Sequence, residues 1–185
     1  MLNNWSWNAS KFETVDRRNV KTGVSDGAWN VTVRRSGFSW GYCFILPDAA
    51  QSCILWNCTA SVKGAAGRAS PGIAFHDFER GVLFQMNEFE MTAELRVLSV
   101  NKEAIRRRIF KVSDVTYPYE INLEYNAVTS MCAGMINGER IFGLKLPHRG
   151  IPSIFEVDAV EIVTTTHSDE AQGSVEYGSM RLSCE

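Results

Sequence analysis

The chain has 185 residues and a formal net charge of −2, with 45% hydrophobic and 22% charged residues. That length suits one domain with a sizeable core. The near-neutral balance leaves no basic excess for a nucleic-acid backbone, and no run of about 18 apolar residues is present to span a bilayer.

The N-terminal stretch MLNNWSWNASKF lacks the basic start and apolar run of a secretion signal. The expected compartment is therefore cytoplasmic if Met1 is the native start, and extracellular if the chain is a mature or excised form. Sequons at Asn4, Asn8, Asn30 and Asn57 hint at a glycosylated origin. The cysteines are Cys43, Cys53, Cys58, Cys132 and Cys184, an odd set without a CxxC pair, so no zinc or redox motif is indicated. Cys53 and Cys58 would stand about 16 Å apart on one extended strand, too far to bridge. Buried free thiols are the expectation.

In chain order, residues 1–24 read as an N-terminal segment packing on the body of the domain, with Trp5 and Trp7 as staples. Ser39–Leu46 and Ser52–Val62 are rich in aromatic and branched residues, with Pro47-Asp48 between them. In the second, Ile54, Trp56, Cys58, Ala60 and Val62 alternate inward while Leu55, Asn57, Thr59 and Ser61 face away. Gly64–Gly72 is small and flexible in composition, a loop. Ile73–His76, a turn at Asp77–Gly81, Val82–Asn87 and Thr92–Val100 follow as strands.

Asn101–Arg108 is the one helix candidate. Its basic run Arg106–Arg108 reads as a solvated turn or strand end. Ile121–Tyr125 alternates cleanly. Asn137-Gly138 suits the positive φ angles of a type I′ turn and predicts a hairpin of Met131–Ile136 with Glu139–Leu144. Glu156–Thr166 and Ser174–Ser183 complete about ten to twelve strands, an all-β antiparallel two-sheet sandwich forming a single domain over residues 1–185.

The order of these features resembles a known superfamily. Gly72-Ile73-Ala74-Phe75 followed by Gly81–Met86 is similar to the paired strands of concanavalin A-like lectin/glucanase jelly rolls. Tyr119–Tyr125 with Met135–Glu139 is similar to their strand and Asn-Gly hairpin, and Tyr177–Leu182 to their closing strand. Laminin G-like domains, levan-binding modules and 3-keto-disaccharide hydrolase-like domains share the layout. The resemblance covers roughly residues 25–185 and implies a jelly roll. Because this fold hosts lectins, hydrolases, lyases and adhesion modules, function must come from a site.

Two sites compete. In EVDAVE, Glu156, Asp158 and Glu161 match the spacing of the acid strand in laminarinase- and lichenase-type glycosidases, given one β-bulge. Chain order opposes this, since the Asn-Gly hairpin precedes the acids here and follows them in those enzymes. The plainer reading makes all three acids the polar side of a strand.

The second site starts from His76. If Ile73–His76 pairs with Val82–Asn87, then His76, Gln85 and Asn87 project from one sheet face, offering the donors and acceptors that suit sugar hydroxyls. Trp40 and Tyr42 are platform candidates for stacking a sugar ring, and Arg96 extends the polar set. Glu94 or Glu124 beside His76 would make an acid–base pair.

The spacing of His76, His148 and His167 fits no metalloenzyme motif. Calcium, common in relatives of the fold, would have to use the acidic stretches Asp77–Glu79 and His167–Glu170. The leading expectation is a lectin-like module binding an oligo- or polysaccharide without a cofactor. The alternatives are a small glycoside hydrolase or polysaccharide lyase using Glu94, Glu124 or the acid triplet, and a laminin G-like protein-interaction module.

Overall fold

Two-residue alternation decides the architecture. Along Tyr119–Asn126, Tyr119, Ile121, Leu123 and Tyr125 are buried while the residues between them are exposed or half-exposed. Such a strand is stable only when its apolar side is covered by a second sheet.

The structure is a computed structural model describing residues 3–8, 15–16, 20–33, 39–46, 53–77, 79–98, 104–146, 156–166 and 172–185. Its fifteen strands are β1 Asn3–Asn8, β2 Val15–Asp16, β3 Val20–Ser25, β4 Ala28–Val33, β5 Ser39–Ile45, β6 Leu55–Ala66, β7 Ala69–His76, β8 Gly81–Asn87, β9 Thr92–Leu98, β10 Ala104–Lys111, β11 Tyr119–Asn126, β12 Met131–Ile136, β13 Glu139–Lys145, β14 Ala159–Thr166 and β15 Gly173–Cys184. Every pairing is antiparallel.

The larger sheet has nine strands in the order β13-β12-β11-β6-β15-β4-β3-β2, with β1 pairing to β15 beside this path. The smaller has six, in the order β10-β9-β8-β7-β14-β5. Between them lie Trp29, Trp56, Phe75, Phe84, Ile121, Leu123, Ile162 and Tyr177, all within 1% of complete burial. This is the expected two-sheet jelly roll.

A single hydroxyl ties the layers together. Tyr177, on β15 of the larger sheet, sends its Oη across the core to β7 and β14 of the smaller. There it accepts from the Gly72 amide at 3.2 Å and donates to the Val163 carbonyl at 2.6 Å. Gly72 and Val163 are register partners, so the phenol bridges the ladder of the sheet it does not belong to.

The Asn137-Gly138 turn has φ angles of 50° and 78° and joins β12 to β13, as its chemistry requires. Several expectations are corrected. Gly64–Gly72 is no loop: β6 and β7 run into it from either side and meet at Gly67-Arg68, with φ angles of 68° and 58°. Small residues here build a tight turn between long strands. Of the helix candidate Asn101–Arg108, the described part is strand: from Ala104 the chain pairs with β9, setting Arg107 opposite Arg96 and Ile109 opposite Glu94. Edge pairing overrides the local preference.

The N-terminal segment does not simply lie on the sandwich; β1, β2 and β3 are strands of the larger sheet. Ile54 is turned outward, 48% exposed. The thiols are not all free either: Cys53 and Cys184 form a disulfide with Cα atoms 5.6 Å apart. Cys58 and Cys132 are buried thiols, and burial pushes both far above the usual thiol range.

Candidate functional site

In the smaller sheet the register lays the side chains facing away from the core into rows. One row runs Ala159, His76, Gly81, Leu98 from β14 to β9. The next runs Cys43, Glu161, Ala74, Leu83, Arg96, Arg107 from β5 to β10. A third runs Gly41, Val163, Gly72, Gln85, Glu94, Ile109. Directly opposed residues point to the same side of a sheet, so His76, Gln85, Glu94, Arg96 and Glu161 share one face. Asn87, two positions beyond Gln85 on β8, shares it as well.

Two polar groups stand on this face with an apolar strip between them. The first is His76 with Glu161 and Cys43. His76 Nε2 lies 3.5 Å from Glu161 Oε2 and 3.9 Å from Cys43 Sγ. Burial disfavours the imidazolium, but the Cys43 and Glu161 contacts outweigh it and raise the ring to about 9. At neutral pH the ring is a cation and both of its nitrogens donate.

The second group is centred on Glu94, whose Oε1 accepts from Arg96 Nε at 2.7 Å and from Arg107 Nε. Its Oε2 accepts from Gln85 Nε2 at 3.1 Å. The strip between is Ala74, Leu83 and Val163, with Leu98 packed against them.

Gln85 is fully buried, and among the described residues its amide oxygen has no hydrogen-bond partner. A buried orphan acceptor costs about 1–3 kcal/mol. Gly72, its register partner, makes room for it: a Cβ there would meet Gln85 Cβ at 3.0 Å and Leu83 Cδ1 at 3.1 Å.

Glu94 sets an acid-side prediction. Burial pushes its carboxyl up, and the Arg96 and Arg107 guanidinium groups more than offset this, holding it below the ordinary value of 4.5. A depressed folded value stabilises the fold above the unfolded value, and that stabilisation is lost as pH falls through the folded one. Wild-type protein should therefore melt higher than Glu94→Gln above pH 5, and the gap should shrink as pH falls below 4.5. Melting curves across that range check it; a gap that does not change with pH would refute the ion-pair account.

The other predicted residues scatter. Tyr42 is corrected as a platform: it turns to the core, with its ring 6.3 Å from Trp29 and its hydroxyl on Thr22. Trp40 sits on β5 opposite Thr164, and its side chain lies outside the described residues. Asn87 is buried, and its Oδ1 accepts from the Glu90 amide, which commits it to the β8–β9 turn.

Glu124 does not meet His76. It stands on the larger sheet and accepts from Asn57 Nδ2 at 3.0 Å. Glu156 and Asp158 precede β14, so Glu161 alone of the triplet occupies the strand and its polar face. Asp77 spends its carboxylate on the amides of Glu79 and Arg80 and on the Arg80 guanidinium. His148 and His167–Glu170 lie outside the described residues.

Two members of the site escape the sequence reading. Cys43, grouped there with the buried thiols, is exposed. Arg107, read as part of a solvated turn or strand end, is an ion-pair partner of Glu94. Alternation with core-facing Tyr42 and Phe44 was the signal that places Cys43 outward.

Glu94 and Glu161 are three strands apart, about 14 Å at the usual strand spacing. Glycosidase carboxyl pairs stand about 5–9.5 Å apart. These two cannot serve as such a pair.

No family model matches the chain, and no curated protein matches it. Among solved structures it is similar to a Crh5 transglycosylase in complex with NAG, at TM-score 0.64 and 10% identity over 97% of this chain and 83% of that one. A Bacillus licheniformis beta-glucanase aligns at TM-score 0.61 and 6% identity, over 97% of each chain. The galectin LEC-6 of Caenorhabditis elegans aligns at TM-score 0.53 and 11% identity, over 78% of this chain and 94% of that one. Likeness at such identities is likeness of fold. With two antiparallel sheets stacked in this order, the chain has the jelly-roll sandwich fold of these solved structures.

Proposed function

We propose that the chain is a carbohydrate-binding, lectin-like module that holds an oligo- or polysaccharide against the core-distal face of its six-stranded sheet. The observation that carries this reading is Gln85, a buried amide with an orphan oxygen on that face. A sugar hydroxyl that reaches it as the side chains covering Gln85 shift would recover the lost hydrogen bond. His76 and Arg96 add donors on either side of the strip formed by Ala74, Leu83 and Val163, which suits the apolar face of a sugar ring. Both a glucanase and a galectin are among the proteins of similar fold, which supports a glycan as the ligand class.

Binding is favoured over catalysis because Glu94 is locked between two arginines and stands too far from Glu161 to act with it. The test is a glycan-array screen run beside an assay for released sugar on each hit. Binding without release is the expected result. Release that is lost in Glu161→Gln would replace this reading with a glycan-active enzyme. No binding to any glycan would remove it.

A further inference from the structure

Cys43 is the exposed member of the three unpaired thiols, and it does not stand alone on its strand. Glu161 is its register partner, and His76 Nε2 lies within 3.9 Å of its sulfur. Cys58 and Cys132 are sealed in the core, so one thiol faces reagents in the folded protein. We infer that Cys43 is a nucleophilic thiol, activated by His76, that takes a mixed disulfide from a small disulfide of the glutathione class.

The chemistry follows from the pairing. A cation beside a thiol favours the thiolate, which is the nucleophile. Here one ring nitrogen faces both the thiol and the Glu161 carboxylate. Beside the imidazolium Cys43 gives up its proton to water, and the thiolate attacks one sulfur of the disulfide. A new S–S bond forms at Cys43 as the old one breaks. The departing thiolate takes a proton from water and leaves as a thiol. One disulfide is consumed and one made, so no further oxidant enters.

The charged and titratable groups around the ring are few. β14 presents Glu161, β5 presents Cys43, and the same row on β8 and β9 holds Gly81 and Leu98. Asp158, half-buried, is the next acid along the chain from Ala159. A bound adduct would stand at the end of the row holding Ala74, Leu83 and Arg96, over the strip where the sugar is proposed to lie. The thiol's reactivity is nonetheless independent of the glycan reading.

The experiment incubates the folded, disulfide-intact protein with oxidised glutathione and follows intact mass and peptide maps. One adduct on Cys43 is expected, and none in Cys43→Ser. Alkylation rates with iodoacetamide between pH 6 and 9 then separate activation from mere exposure. An ordinary thiol near 8.5 slows about tenfold per pH unit below that value. Wild-type protein should react about tenfold faster than His76→Ala at pH 7. If His76→Ala does not fold, His76→Gln, which keeps a polar side chain of similar length without the charge, is read instead. Three outcomes would overturn the assignment: an adduct on Cys58 or Cys132, an unchanged rate in the folded His76 variant, or a disulfide-linked dimer in place of the small adduct.

Discussion

Replacing Cys53 and Cys184 together by alanine is expected to lower unfolding stability by about 4 kcal/mol while leaving the fold in place. The bridge joins residues 131 apart in sequence. Closing a loop of that length removes about 5 kcal/mol of chain entropy from the unfolded ensemble, and measured losses on removing native disulfides run about 2–5 kcal/mol.

The native geometry at this point does not depend on the bridge. Ile54 and Leu55 both donate to the Glu185 carbonyl, Glu185 donates back to Leu55, and Cys184 pairs in register with Trp56. The backbone clamp should therefore keep β6 and β15 together once the sulfurs are gone, with the cost appearing in the unfolded state. Denaturant titration of wild type and variant, each with and without a reductant, measures it. Reductant should lower the wild-type midpoint and leave the variant unchanged. A variant within about 1 kcal/mol of oxidised wild type would show that the bridge constrains little.

The fold was legible because alternation, turns and strand spacing all agreed. Tyr119–Tyr125 declared its buried side, and Asn137-Gly138 its hairpin. The acids of EVDAVE do not share the strand that the plainer reading gave all three: Glu156 and Asp158 lie before β14, and Glu161 stands on its polar side. What stayed hidden depended on distance in the chain. Cys53 finds Cys184 only because the chain's last strand lies beside β6. Arg107 finds Glu94 only after β10 joins the sheet edge.

The shared face of His76 and Gln85 could be read from period two, yet their burial could not. Neither could the direction of Tyr42, because an aromatic strand such as SWGYCFIL offers rings to both sides and composition does not say which side meets Trp29. Phase is a property of the partner strands. Cys43 and Tyr42 exchanged roles for that reason: the residue taken as a platform packs inward, and the residue taken as buried stands beside His76.

Substituting Gln85 by leucine should separate binding from stability. In the folded protein the side chain gives one hydrogen bond, to a Glu94 carboxylate that keeps both arginines, and leaves its own oxygen unpaired. Removing the orphan offsets the lost bond, so the variant's stability should stay within about 1 kcal/mol of wild type. Glycan affinity should move much more. If a sugar hydroxyl donates to Gln85 Oε1, its loss leaves that hydroxyl unpaired in the bound state, a cost of about 1–3 kcal/mol, or roughly fivefold to more than a hundredfold in Kd.

Calorimetric titration with the strongest array hit, beside a melting curve of the same sample, reads both quantities. Weaker binding at unchanged stability would identify the orphan oxygen as a ligand contact. Unchanged binding would make it only a packing defect of the sheet. The proposed glycan site would then lose the residue it rests on, because His76 and Arg96 are already held by carboxylates.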